Sequence, residues 1–283
     1  MFILHMGFGN QLKTIVLLAS LTALLLFVGS LFGRGGLIIA VFFVGIMNFV
    51  SYFFSDKIVL MMYRAKQVTK KDEPRLFRIC EELAEKTGLP MPKVYIIPDK
   101  NLNAFATGRG PNHAAVAATE GILEVLHDDE LRGVMAHEFA HIKNRDILIS
   151  TVAGTIAGII SYLSHMMMWG AMGNRNGRGN AFSLILLAII TPLIATMIQL
   201  AISRSREYMA DSTGARTIKN GDALARALEK LEKGNKMRPM RVGNSGTAHM
   251  FITNPFSGQA MMKLLSTHPP MDERIRRLRG MKF

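Results

Sequence analysis

The sequence predicts a mainly α-helical protein with a small β element and about four transmembrane helices. Three observations carry that expectation. Of 283 residues, 49% are hydrophobic and 19% charged, where an ordinary soluble domain carries roughly 25% charge. All 21 acidic residues fall in two blocks, 56–146 and 204–283, whereas 1–55 and 147–203 hold none. Apolar residues recur at helical spacing in both polar blocks, and a strand pattern occurs only in the first. This composition excludes a disordered chain.

Thr14 to Phe32 is an uncharged apolar run, close to the roughly 20 residues that cross a hydrocarbon core. No small-residue cleavage pattern separates it from a second run, Leu37 to Phe54, so the pair reads as a membrane hairpin and not as a signal peptide. Gly33-Arg34-Gly35-Gly36 is the expected turn between them. Glu73 to Thr87 places Leu76, Ile79, Cys80 and Leu83 on one helical face, with Gly88-Leu89-Pro90 as its stop. Val94 to Ile97 reads as a strand. Ala104 to Thr107 and Ala114 to Ala117 flank Gly108-Arg109-Gly110-Pro111 as a hairpin. Asp128, Asp129 and Glu130 mark a helix start, where the backbone dipole favours acids. Ile147 to Met172 and Ala181 to Ile202 are two further apolar runs, joined by the polar turn 173–180. The first of them also fits a buried or partly embedded helix, because it contains Ser161, Ser164 and His165. The block 204–283 reads as mainly helical. The expected organisation is a transmembrane hairpin at 1–55, a polar block at 56–146, a second hairpin at 147–203 and a second polar block at 204–283.

The net charge of +13 comes from 34 basic and 21 acidic residues. Block 56–146 is balanced, and the excess lies in 204–283 and beside the apolar runs, which argues for contact with an anionic bilayer and against nucleic acid. Lys13 precedes the first run; Lys57, Arg64, Lys66, Lys70 and Lys71 follow the second; Arg204 and Arg206 follow the fourth. Only Arg34, Arg175 and Arg178 lie in the opposite turns, so both polar blocks and the N-terminus are expected on the cytoplasmic side. The single cysteine, Cys80, excludes an intramolecular disulfide.

The chemistry lies in His137-Glu138-Phe139-Ala140-His141. On a helix, residues four apart share a face, so both imidazoles can bind one metal ion while Glu138 approaches its open side. Composition alone yields about 0.01 chance matches to this pattern. A catalytic zinc usually takes a third protein ligand, and no histidine follows His141 within ten residues. The remaining histidines and the carboxylates are candidates. Among the latter, Glu207 stands in Glu207-Tyr208-Met209-Ala210-Asp211, where Asp211 one turn later can accept a hydrogen bond from a ligating imidazole. Two membrane crossings between His141 and Glu207 return the chain to the same side, as a shared site requires, and put that site near the membrane surface. A further donor for the oxyanion can come from His268 or Arg274. Met166-Met167-Met168-Trp169 is read as helix packing.

Together with Ser266-Thr267-His268-Pro269-Pro270 and Glu273-Arg274-Ile275, these motifs and the spacing of the apolar runs resemble the HtpX membrane-bound zinc metalloproteases. The resemblance covers nearly the whole chain. It implies a gluzincin-type peptidase domain in the bacterial inner membrane, multi-pass and facing the cytoplasm, that removes misfolded or damaged membrane proteins. It further implies one Zn2+ per chain held by His137, His141 and Glu207, with Glu138 catalytic, and it favours His268 over Arg274 at the oxyanion. Asn103, Ala104 and Phe105 resemble the edge strand on which such enzymes align an extended peptide. Protein substrates and the lipid bilayer are the implied partners.

Overall fold

The computed structural model describes residues 2–157, 204–240, 245–253 and 269–283. The last apolar run, its preceding turn at 173–180 and His268 lie outside the described residues. Helices α1 (Phe2–Ser30) and α2 (Gly33–Phe53) form an antiparallel hairpin. Their apolar spans, Leu12–Ser30 and Gly33–Phe53, have mean hydropathies of 2.2 and 2.1 and are long enough to cross a membrane. Ile39, Phe42 and Phe43 face outward, as lipid contact requires. The turn differs from the sequence expectation. Leu31 and Phe32 reverse the chain together with Gly33, which is left-handed at φ 74°, and the rest of the glycine tract lies in the first turn of α2. A Cβ on Gly36 would stand 2.5 Å from the Gly29 carbonyl oxygen, so these glycines let the two helices approach.

After α3 (Ser55–Met62) come β1 (Lys66–Gln67) and α4 (Pro74–Thr87). Pro74 pre-sets the first turn of α4, and Gly88, at φ 68°, ends it in the left-handed region. Leu76, Ile79, Cys80 and Leu83 are fully buried, as the periodicity predicts. The strands β2 (Lys93–Ile97), β3 (Ala104–Gly108) and β4 (Ala114–Thr119) complete a four-stranded sheet of order β1-β2-β4-β3. The predicted hairpin is present, with β3 and β4 antiparallel and Ala106 opposite Val116. β1, two residues long, is too short to be visible as periodicity. β3 is an edge strand.

α5 (Glu120–Val125) leads into α6 (Asp128–Lys143), whose first turn is capped by the Glu130 carboxylate accepting from the His127 amide at 2.9 Å. α6 is the central helix, buried along most of its length between the sheet, α4 and the C-terminal helices. α7 (Ile147–Ala157) follows. Its Ile149, Val152 and Ile156 pack on Leu17 and Leu21 of α1, so the third apolar run begins buried inside the protein. The C-terminal block supplies α8 (Arg204–Ile218), α9 (Gly221–Met237), a 3-10 turn (Ser245–Met250) and α10 (Met271–Arg279).

Two glycines set how close these helices come. Gly133 of α6 faces the α9 backbone at Leu224, and Gly214 of α8 faces the α6 backbone, where an added Cβ would lie 2.9 Å from the His137 nitrogen. Gly214→Ala is expected to cost about 1–3 kcal/mol by forcing α8 off α6, measured as a lowered thermal midpoint in detergent. An unchanged midpoint would contradict the close contact.

Candidate metal centre

The two histidines of α6 lie one turn apart on a single face, with ring planes at 88° and centroids 4.6 Å apart. Glu207 sits two turns before Gly214 on α8, so the same close approach carries its carboxylate to the imidazoles. The Nε2 atoms of His137 and His141 are 3.1 Å apart. Glu207 stands 3.8 Å from the first and 3.7 Å from the second. A tetrahedral ion with ligands at about 2.0–2.1 Å has ligand–ligand edges of about 3.3–3.4 Å. The two Glu207 contacts use different oxygens, Oε2 and Oε1, and one atom from each residue lies within 4.8 Å of the others, so the cluster is near that size, and its two imidazoles and one carboxylate suit zinc. Among the described residues these three form the one cluster of this kind.

Each imidazole is oriented from behind. His137 Nδ1 lies 2.9 Å from Asp211 Oδ1, the partner read from the sequence. His141 Nδ1 lies 3.0 and 3.1 Å from the two oxygens of Asp146, a residue the sequence reading missed. A carboxylate on Nδ1–H fixes the tautomer that offers Nε2 to a metal. The weak signal for Asp146 is an acid just after the zinc-motif helix and at the start of the next one. What brings it back to the ring is the junction itself, where Arg145 adopts φ 56°.

Arg274, completely buried, donates through Nε to Asp211 Oδ2 at 2.8 Å and through Nη2 to Oδ1 at 2.7 Å. Its Nη1 donates to the Ile252 carbonyl at 2.8 Å and lies 3.7 Å from Glu207. The structure therefore directs this guanidinium to Asp211 and the backbone. Although burial opposes its charge, Asp211 is held below the usual carboxylate range by Arg274 and His137. Burial also disfavours a charged His141, yet Asp146, Glu207 and Glu138 outweigh it and pull its pKa up to about 10. The pocket is thus built to hold a cation.

Glu138 is 2% exposed, and its carboxylate accepts from the Ala106 amide of β3. Burial pushes its carboxyl up, and the two imidazoles pull it partly back. Asn103, Ala104 and Phe105 are all fully buried at the start of β3. Phe105 turns away from the cleft to stack against Tyr63 and Phe251, while the Ala104 carbonyl accepts from Ile252 N–H at 3.3 Å.

Comparison with known proteins shows the family. A family model described as Peptidase family M48 matches residues 70–282. A protease HtpX homolog of Syntrophotalea carbinolica is 54% identical over 278 residues, covering 96% of this chain and 99% of the relative. Another, of Pyrococcus abyssi, is 53% identical over 279 residues, covering 97% and 96%. The crystal structure of S. mikatae Ste24p shares the fold, with TM-score 0.53 at 18% identity over 97% of this chain and 67% of that one.

Because Asp146 fixes His141, Asp146→Asn is expected to weaken divalent metal binding about 10–100-fold without unfolding the protein. Competition with a chromophoric chelator measures this, and unchanged affinity would remove Asp146 from the site.

Proposed function

The chain belongs to peptidase family M48 and is a metalloprotease; from that premise we propose that it is a membrane-integrated zinc endopeptidase whose one Zn2+ is held by His137, His141 and Glu207. The observation that carries this reading is the convergence of His137 Nε2 and His141 Nε2, 3.1 Å apart, on the Glu207 carboxylate, one oxygen of which lies within 3.8 Å of each, with a buried carboxylate behind each imidazole. When bound, zinc supplies a Lewis acid that acidifies water and polarises the scissile carbonyl. Glu138 follows His137 directly on α6. It takes the proton of the attacking water and delivers it to the leaving amine, and burial suits it to both halves of that cycle. Asp211 and Asp146 keep the imidazoles in register, and Arg274 keeps Asp211 charged. His268 is assigned, from the motif alone, to the developing oxyanion. The start of β3 at Asn103 and Ala104 aligns the substrate backbone, and the Phe105 side chain stabilises that strand from its far side.

The remaining assignments rest on sequence and family. The protein lies in the cytoplasmic membrane, with hairpins at 1–55 and 147–203 and with the blocks 56–146 and 204–283 on the cytoplasmic side. Its substrates are misfolded or damaged membrane proteins, and its role is quality control under stress. A site six residues from an apolar run reaches segments as they leave the bilayer. The competing reading is a scaffold that keeps zinc for structure, but such a site is normally closed by four protein ligands. Glu138→Gln separates the two. The peptidase reading expects zinc retained at one per chain and cleavage of a membrane-protein substrate reduced at least about 10²-fold. Undiminished cleavage would refute it.

A further inference from the structure

Among the described residues β3 ends the sheet, and one row of its backbone groups has no strand partner there. Such an edge is normally exposed or covered, and every residue of β3 is buried. Part of the cover is the chain's own segment around Ile252. Ile252 N–H donates to the Ala104 carbonyl at 3.3 Å. Asn103 holds the next residue by both backbone groups: its Nδ2 donates to the Thr253 carbonyl at 2.8 Å, and its Oδ1 accepts from Thr253 N–H at 3.4 Å. Arg274 Nη1 takes the Ile252 carbonyl at 2.8 Å. Met250 ends the 3-10 turn and 251–253 are bends, so the segment is not itself a strand, but its bonds to Asn103, Ala104 and Arg274 are made through backbone groups, the groups by which an extended peptide is recognised without regard to its sequence.

The same segment stands over the reactive groups. His249, Met250, Phe251 and Ile252 line a cavity together with Glu138, His141 and Glu207, and about 20 Å3 of it is free. That is room for about one water molecule. A peptide cannot reach Glu138 while the segment stays. We infer that Met250–Thr253 is an internal pseudosubstrate, bound to the edge of β3, which an incoming extended peptide must displace before cleavage. The inference rests on the reading of the site as a peptidase cleft. Exchange is nearly balanced in hydrogen bonds, because the peptide takes over the partners the segment gives up at Asn103, Ala104 and Arg274. Ile252 is 1% exposed and joins the main core, so the residue that replaces it should be a large aliphatic one.

The segment is fastened at its near end. Thr247 Oγ1 bonds the Tyr63 hydroxyl, and His249 Nε2 donates to the Ser150 carbonyl at 3.1 Å. Met250 fills the notch left by Gly154 of α7, where an added Cβ would lie 3.2 Å from Met250 Cγ. Cysteines at these two positions are therefore within bridging reach. Cys80 is buried with its thiol pushed up to about 12, so it does not compete.

The test uses full-length protein in detergent carrying Gly154→Cys and Met250→Cys. The probe is a labelled, capped peptide of residues 248–253, Ala-His-Met-Phe-Ile-Thr. Its cleavage is followed in this variant, and its binding in the same variant with Glu138→Gln. Oxidation should weaken binding at least about tenfold and abolish cleavage, and dithiothreitol should restore both. Tyr63→Phe, which removes one fastening, should tighten binding several-fold and serves if the bridge does not form. Equal binding with and without the bridge, no binding to either form, or unchanged binding in Tyr63→Phe overturns the pseudosubstrate. If oxidation gates binding but the wild type never cuts the peptide, the segment is a displaceable cover of a peptide-binding cleft and the peptidase reading, with the name pseudosubstrate, fails.

Discussion

The site depends on how closely α8 can lie against α6. Gly214 puts no side chain between α8 and the peptide group linking Ala136 to His137. Two turns earlier on the same helix, this contact brings Glu207 within 4 Å of both imidazoles. Asp211, between Gly214 and Glu207, meets His137 from the other side. A helix held a few tenths of an ångström farther out would misplace two carboxylates together. Packing and metal geometry are therefore one constraint, and Ala210, Gly214 and Ala215 on the buried face of α8 serve coordination as much as stability.

The second dependence is electrostatic. Glu138, Glu207, Asp146 and Asp211 crowd around two histidines in a region largely closed to water, which would be costly without countercharge. Arg274 and Arg206 are buried beside them, and a divalent cation held by His137, His141 and Glu207 would complete the balance. Asp146 also ties this centre to the membrane part. It immediately precedes α7, whose apolar face packs on α1 and whose Thr151 Oγ1 accepts from Gly108 N–H at the far end of β3 at 3.2 Å. One helix thus touches the orientation of a metal-site imidazole, the end of β3 and the N-terminal apolar hairpin.

Much of this was legible in the sequence because it is local. Helix periodicity places His137 and His141 on one face, and the same rule places Asp211 one turn after Glu207. Glu207 is one candidate carboxylate by spacing, and the family resemblance singles it out as the partner of the histidines. What stayed hidden depends on contacts that spacing does not encode. Asp146 reaches His141 through a left-handed Arg145 that no glycine announces. The turn at Leu31–Phe32 lies two residues before the expected one because, of the glycine tract, Gly33 serves the reversal at φ 74° whereas Gly36 serves close helix packing, and the two roles look alike in sequence. Arg274 reads as a possible oxyanion donor until its bonds to Asp211, 63 residues away, are seen. The pairing of Thr253 with Asn103 spans 150 residues and leaves no periodic trace.

The central claim is a catalytic zinc with two imidazoles, one carboxylate and an open position. Zinc-edge X-ray absorption of the purified full-length protein tests it most directly. The expected spectrum has one zinc per chain, two imidazole scatterers and only nitrogen and oxygen neighbours at about 2.0–2.2 Å. A sulfur neighbour at about 2.3 Å, or fewer than two imidazoles, would contradict it.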